Sequence, residues 1–203
     1  MADGVDALDG VATGSNVLLL GPSVDSEVDD GCRRLLHGGA VPTGERSVLV
    51  VTFTLAPNQW VERWDDRVGE RPDELVVVTT SDTFAGPTAA DDLGDDVQVE
   101  YLSSPGDLTG LGMIISKYLE RWHDQDRQMA LCFDSLTALL QYEDLHNVYR
   151  FLHLMTTRLA GADAHAHFHL DPATQDEQSV STLSSTFDAL ARYDGETWDV
   201  RSR

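Results

Sequence analysis

Uninterrupted apolar runs alternate with amphipathic stretches along nearly the whole chain. Residues 17–20 (Val-Leu-Leu-Leu) are apolar on both faces, and 75–79 and 129–133 repeat that pattern. Such short runs predict strands covered on both sides. Residues 47–53 (Ser-Val-Leu-Val-Val-Thr-Phe) form a further β-branched strand, 97–102 alternates as a shorter one, and 165–170 is a sixth. Between them the period changes to that of a helix. Residues 27–37 are helical and stop at Gly38-Gly39. In 57–68, Pro57 lies in the first turn, and Trp60, Val61, Trp64 and Val68 share one face as a core stripe. Leu111, Ile114, Ile115, Tyr118, Leu119 and Trp122 set the apolar face of a helix over 108–122. The strongest helix is 145–159, with Val148, Phe151, Leu152, Met155 and Leu159 at helical spacing and Gly161 just past its end. A short helix over 179–187 follows, then a closing hairpin of 189–193 and 196–200 around Asp194-Gly195. Residues 81–96, rich in Gly, Pro, Ala and Asp, read as a surface loop.

Strands that alternate with helices predict an α/β fold: a mainly parallel sheet with helices on both faces and a C-terminal β-hairpin. At 203 residues the chain suits one such domain over 1–203, with a core of about 10–200.

Charge narrows the setting. Lys and Arg number 14 against 35 Asp and Glu, a formal net charge of −21. Lys117 is the only lysine, and the acids are scattered rather than gathered in a tail. A solvated acidic surface nearly without lysine fits the cytoplasm of a halophile, where concentrated salt cuts the screening length to a few ångströms. Nucleic acid is a poor partner, because phosphate-backbone affinity needs clustered cations and Arg33-Arg34 is flanked by acids. No apolar run approaches the roughly 20 residues of a membrane span, and the acidic start lacks the apolar core of a signal peptide. Cys32 and Cys132 form no C-x-x-C pair and read as thiols rather than a disulfide.

The segment from Asn16 to Asp30 has the layout of a phosphate-binding loop: a buried strand, a Gly21-Pro22 turn and a helix start. In the pattern G-x-x-x-x-G-K-[ST] the first glycine is Gly21, and Pro22 and Ser23 follow it in the loop. The second glycine falls on Ser26, the lysine on Glu27 and the hydroxyl residue on Val28. A glutamate beside a triphosphate is repelled by on the order of several kcal/mol at an effective dielectric near 20. Asp25 or Glu27 suits the helix start as its cap, taking the place of the phosphate. Downstream, Met129-Ala130-Leu131-Cys132-Phe133 ends in Asp134-Ser135, an apolar strand closed by an aspartate as in a Walker B motif.

With Ser104-Pro105-Gly106-Asp107 before it, and Leu136–Tyr142 and Val148–His153 after it, this region resembles the RecA/KaiC-like ATPases of archaea. It is most similar to the small single-domain KaiC-like proteins of haloarchaea, over roughly residues 10–200. The resemblance implies a RecA-type core, a role in signalling or regulation, and oligomerisation across the nucleotide edge. It also implies a pair of glutamates just after the second strand, one of which activates water. Here Thr54 and Leu55 stand near that point. Of the family's catalytic set only Asp134 remains.

The expectation is therefore a pseudo-ATPase with a degenerate Walker A site. That site comprises Gly21, Pro22, Ser23, Ser26, Glu27, Val28, Asp134 and Ser135, with no catalytic residues, no metal and no cofactor. The chain would act as a cytoplasmic regulatory or scaffold protein through a protein partner or self-association, a dimer before a hexamer. The alternative is a KaiC-like ATPase that binds nucleotide unconventionally through Gly21 and Asp134. Two further constellations have plain readings. Asp25, Glu27, Asp29, Asp30 and Asp134 would hold a cation only if they met at one edge; otherwise they are a solvated acidic helix start. His165, His167 and His169 share a strand face but span about 13 Å, so at most two reach one ion, and packing beneath a covering helix is the simpler role. Tyr142, Tyr149 and Phe151 read as core or as a contact surface.

Overall fold

The computed structural model describes residues 6–37, 42–80, 93, 94 and 96–203. The Gly38-Gly39 helix stop and most of the loop over 81–96 lie outside the described residues. Eight strands form one sheet: β1 (Asn16–Leu20), β2 (Arg46–Thr52), β3 (Glu74–Thr80), β4 (Val97–Leu102), β5 (Gln128–Asp134), β6 (His165–Leu170), β7 (Ala189–Tyr193) and β8 (Trp198–Ser202). Their order is β4-β3-β2-β5-β6-β1-β7-β8, and every pairing is parallel except the final β7–β8 hairpin.

The described helices are α1 (Asp6–Asp9), α2 (Ser26–His37), α3 (Pro57–Arg67), α4 (Leu108–Asp124), α5 (Leu136–Leu139), α6 (Leu145–Gly161) and α7 (Glu177–Ser184). Alternate strand residues feed two layers, which is why the central strands are apolar throughout. Leu18, Leu49, Val76, Leu131 and Phe168 pack against Leu111, Tyr118 and Trp122 of α4, Leu152 and Met155 of α6, and Leu183 of α7. On the opposite face Val48, Val50, Val77 and Cys132 meet the stacked Trp60 and Trp64 of α3, whose ring centroids are 5.4 Å apart. Val17, Leu19 and Ala191 continue that face beneath Val28 and Leu35 of α2.

Caps mark the helix starts. Asp107, Asp144 and Asp176 each accept a backbone N–H three residues on, from Gly110, Asn147 and Ser179. The Asp176 cap starts α7 two residues before the position expected from its apolar pattern.

The hairpin departs more from expectation. Asp194 Oδ1 accepts the N–H groups of Glu196 and Thr197, and Gly195 takes a positive φ of 102°. The connection therefore spans residues 194–197, and Tyr193 pairs with Trp198. The second strand starts two residues later than the Asp-Gly pattern suggested. An even shift keeps the same residues inward.

Candidate functional site

β6 lies between β1 and β5, so the loop after β1 and the carboxylate ending β5 face each other across the end of β6. His169 fills that gap. Its Nε2 is 3.1 Å from the Gly21 carbonyl oxygen and its Nδ1 is 3.3 Å from Asp134 Oδ1. Burial works to lower the pKa of this ring. The hydrogen bond to Asp134, the neighbouring Cys32 and Asp134 charges and the Gly21 carbonyl outweigh it and raise the value to about 9. As an imidazolium, His169 donates one N–H to each partner and pairs with the carboxylate. The second oxygen of Asp134 accepts a hydrogen bond from Thr54 Oγ1 at 3.2 Å. Thr52 Oγ1, buried at the end of β2, accepts the N–H groups of Thr54 and Leu55 and fixes that turn.

The loop from Gly21 to Asp25 is occupied by the chain's own carboxylates. Asp171, just beyond β6, accepts the Ser23 N–H through Oδ2 at 2.9 Å. Its own N–H donates to Thr137 Oγ1 at 2.8 Å, tying this turn to α5. Asp25 Oδ1 accepts the N–H groups of Glu27 and Val28, at 2.8 and 3.3 Å, and so caps α2. These are the donors that an anion at a helix N-terminus uses.

The residues singled out from sequence divide into two groups. Gly21, Ser23 and Asp134 belong to this network; the Gly21 N–H also donates to the Leu170 carbonyl at 3.2 Å. Pro22, Ser26 and Glu27 are exposed around it. Between Asp25 and Glu27 the cap is Asp25, while the Glu27 side chain faces outward. Val28 turns away and is 2% exposed in the core beside Leu19. It fits against Gly21 so closely that a Cβ added there would come within 2.6 Å of Val28 Cγ2. Ser135 is buried and caps α5, accepting the Ala138 N–H at 3.2 Å.

The other acids disperse onto arginines. Asp29 pairs with Arg63 at 3.4 Å, and Asp30 with Arg33 and, at 2.7 Å, with Arg67. Burial holds the Asp29 carboxyl above its ordinary range, and repulsion from Asp134 adds to this. Among the described residues no group of three or more His, Cys, Asp or Glu is arranged to hold a metal ion. The three strand histidines pack beneath α2 without converging on one point. His165 lies near Arg46, His167 near Cys32, and His169 in the bridge. Phe151 is core, Tyr149 stacks on His153, and Tyr142 is 60% exposed.

Sequence reasoning weighed His169 only as one of three strand histidines and did not single out Asp171. Both stand in the run from 165 to 171, where a strand ends in His-Leu-Asp much as β5 ends in Phe-Asp-Ser.

No described helix is long and apolar enough to cross a membrane. Comparison with curated proteins finds no match. Among solved structures, the chain is similar to the flagellar accessory protein FlaH from Methanocaldococcus jannaschii. The TM-score is 0.56 at 16% identity, over 97% of this chain and 80% of that one. The shared architecture is the RecA-like α/β fold. One family model spans residues 14–192, from the turn before β1 to β7. By that match the chain belongs to DUF7504, a family of unknown function.

Proposed function

We propose that this chain is a RecA/KaiC-like regulatory or scaffold protein without ATPase activity, working through protein contacts in a halophilic cytoplasm. The observation that carries this reading is the His169 bridge from Asp134 to Gly21. It places a cation and two hydrogen bonds of the chain itself across the edge where a RecA-type site needs an open carboxylate and an open loop. Asp171 on the Ser23 N–H and Asp25 on the α2 N-terminus support it, since both put negative charge where a phosphate would go. The outward Glu27 adds to that repulsion, and Val28 is committed to the core.

The protein-contact half of the proposal draws on the far side of the sheet. Met113, Tyr142 and Leu154 are 69%, 60% and 51% exposed around α4 and α6. Met113 and Leu154 line one groove between α4 and α6, and large apolar side chains that share a surface suit a partner. A dimer or a heterologous complex is preferred to a ring, because no nucleotide would bridge the subunits.

The test is phosphate release from ATP and Mg²⁺ in molar KCl. The expected result is no turnover above a protein-free control. Turnover that disappears in Asp134→Ala would instead support an ATPase with an unconventional loop.

A further inference from the structure

The chain's two cysteines are 100 positions apart, yet the packing of α2 over β5 and β6 brings them together. Cys32 of α2 and Cys132 of β5 are both free thiols, and both line one cleft. His167 of β6 joins them. Cys132 and His167 are directly paired in the sheet register, and the ring borders the Cys32 sulfur. His167 is 0% exposed, and neither of its ring nitrogens has a well-aligned hydrogen-bond partner. A buried imidazole with both nitrogens unpaired is costly to keep in a core, and here its polar neighbour is a thiol pair. The two cysteines, with His167 buried behind them, border a cleft also lined by Asp29, Arg63, Asp134 and His169, with about 40 Å³ of water-accessible space. That volume admits a molecule of one or two oxygen atoms.

We infer that Cys32 and Cys132 form a peroxide-oxidisable dithiol site that closes into a disulfide joining α2 to β5. Cys32 is the partly exposed member of the pair and Cys132 the buried one, and the neighbouring Cys132 and His167 side chains lower the Cys32 thiol while Cys132 is pushed up, so Cys32 is the nucleophile. Its thiolate attacks one oxygen of hydrogen peroxide. The S–O bond forms, the O–O bond breaks, and the departing hydroxide takes the displaced thiol proton from His167 and leaves as water. The Cys132 thiol then attacks the Cys32 sulfenic acid. The S–S bond forms, the S–O bond breaks, and a second water leaves. Two thiols are oxidised to one disulfide while one peroxide is reduced to two waters. The site needs none of the nucleotide chemistry considered above and stands independently of it.

The experiment exposes the folded protein to hydrogen peroxide in molar KCl, then alkylates with iodoacetamide and measures the intact mass. Both thiols should become unreactive with the loss of two hydrogens, and proteolysis should yield one peptide pair linked through Cys32 and Cys132. Dithiothreitol should restore both thiols. Cys132→Ser should stop at a Cys32 sulfenic acid trapped by dimedone. His167→Gln should slow the first step by about tenfold or more; an unchanged rate would contradict the proton-acceptor assignment. Thiols that stay alkylatable after peroxide, a mass that gains oxygen instead of losing hydrogen, or a link between two chains would overturn the inference.

Discussion

His169 Nδ1 stands 3.3 Å from Asp134 Oδ1, at the edge where β6 separates the loop after β1 from the end of β5. The pairing raises the His169 pKa to about 9 against burial, which alone would lower it. A histidine raised above its unfolded value of roughly 6.5 stabilises the fold fully below that value. The contribution is lost as pH rises through about 9.

His169→Gln tests this by difference, which removes titrations common to both proteins. Wild type should exceed the variant in stability by on the order of 3 kcal/mol near pH 6, with the gap closing toward pH 9.5. Urea denaturation across that range in molar KCl measures it. A gap independent of pH would contradict the imidazolium bridge.

His165 titrates with the opposite sign. Burial, with His167 and Arg46 nearby, lowers its pKa to about 4. Its neutral form is favoured in the fold, so its contribution is present above pH 6.5 and is lost as pH falls through 4. Against His165→Gln, wild type should lose on the order of 3 kcal/mol more between pH 7 and pH 4. The same denaturation series extended to acid reads this out.

Glu27 is exposed, and its side chain supports nothing that the fold needs. Glu27→Lys should change stability by less than about 0.5 kcal/mol. It should also leave phosphate release at background, because Val28 remains in the core and His169 still occupies the edge. A gain of turnover from this one substitution would show that charge alone had closed the site.

With 35 acidic and 14 basic side chains, self-repulsion should weaken the fold in dilute buffer. The melting temperature should rise steadily from low salt to molar KCl. A flat dependence would contradict the halophilic reading.

The strands were legible because helices cover both faces, so 17–20, 75–79 and 129–133 carry unbroken apolar runs. The stripe of Trp60 and Trp64 was legible for the same reason. What local pattern does not contain is strand order. The insertion of β6 between β1 and β5 turned His169 from one of three strand histidines into the centre of the site, and brought Asp171, just beyond the strand, beside it. Val28 drew notice as a missing hydroxyl, yet its spacing of seven from Leu35 already placed it on the buried face of α2. The Asp194-Gly195 pair suggested a two-residue turn, but the Asp194 carboxylate binds two N–H groups further on and lengthens the loop. The cysteines looked unrelated because a helix and a strand 100 residues apart meet only in the folded chain.

Calorimetric titration with ATP and Mg²⁺ in molar KCl addresses the central claim most directly, with His169→Ala and Asp134→Ala run in parallel. If His169, Asp25 and Asp171 fill the loop and its carboxylate, wild type and both variants should give only heats of dilution. Micromolar binding by wild type that vanishes in Asp134→Ala would contradict the account and make this edge a working nucleotide site.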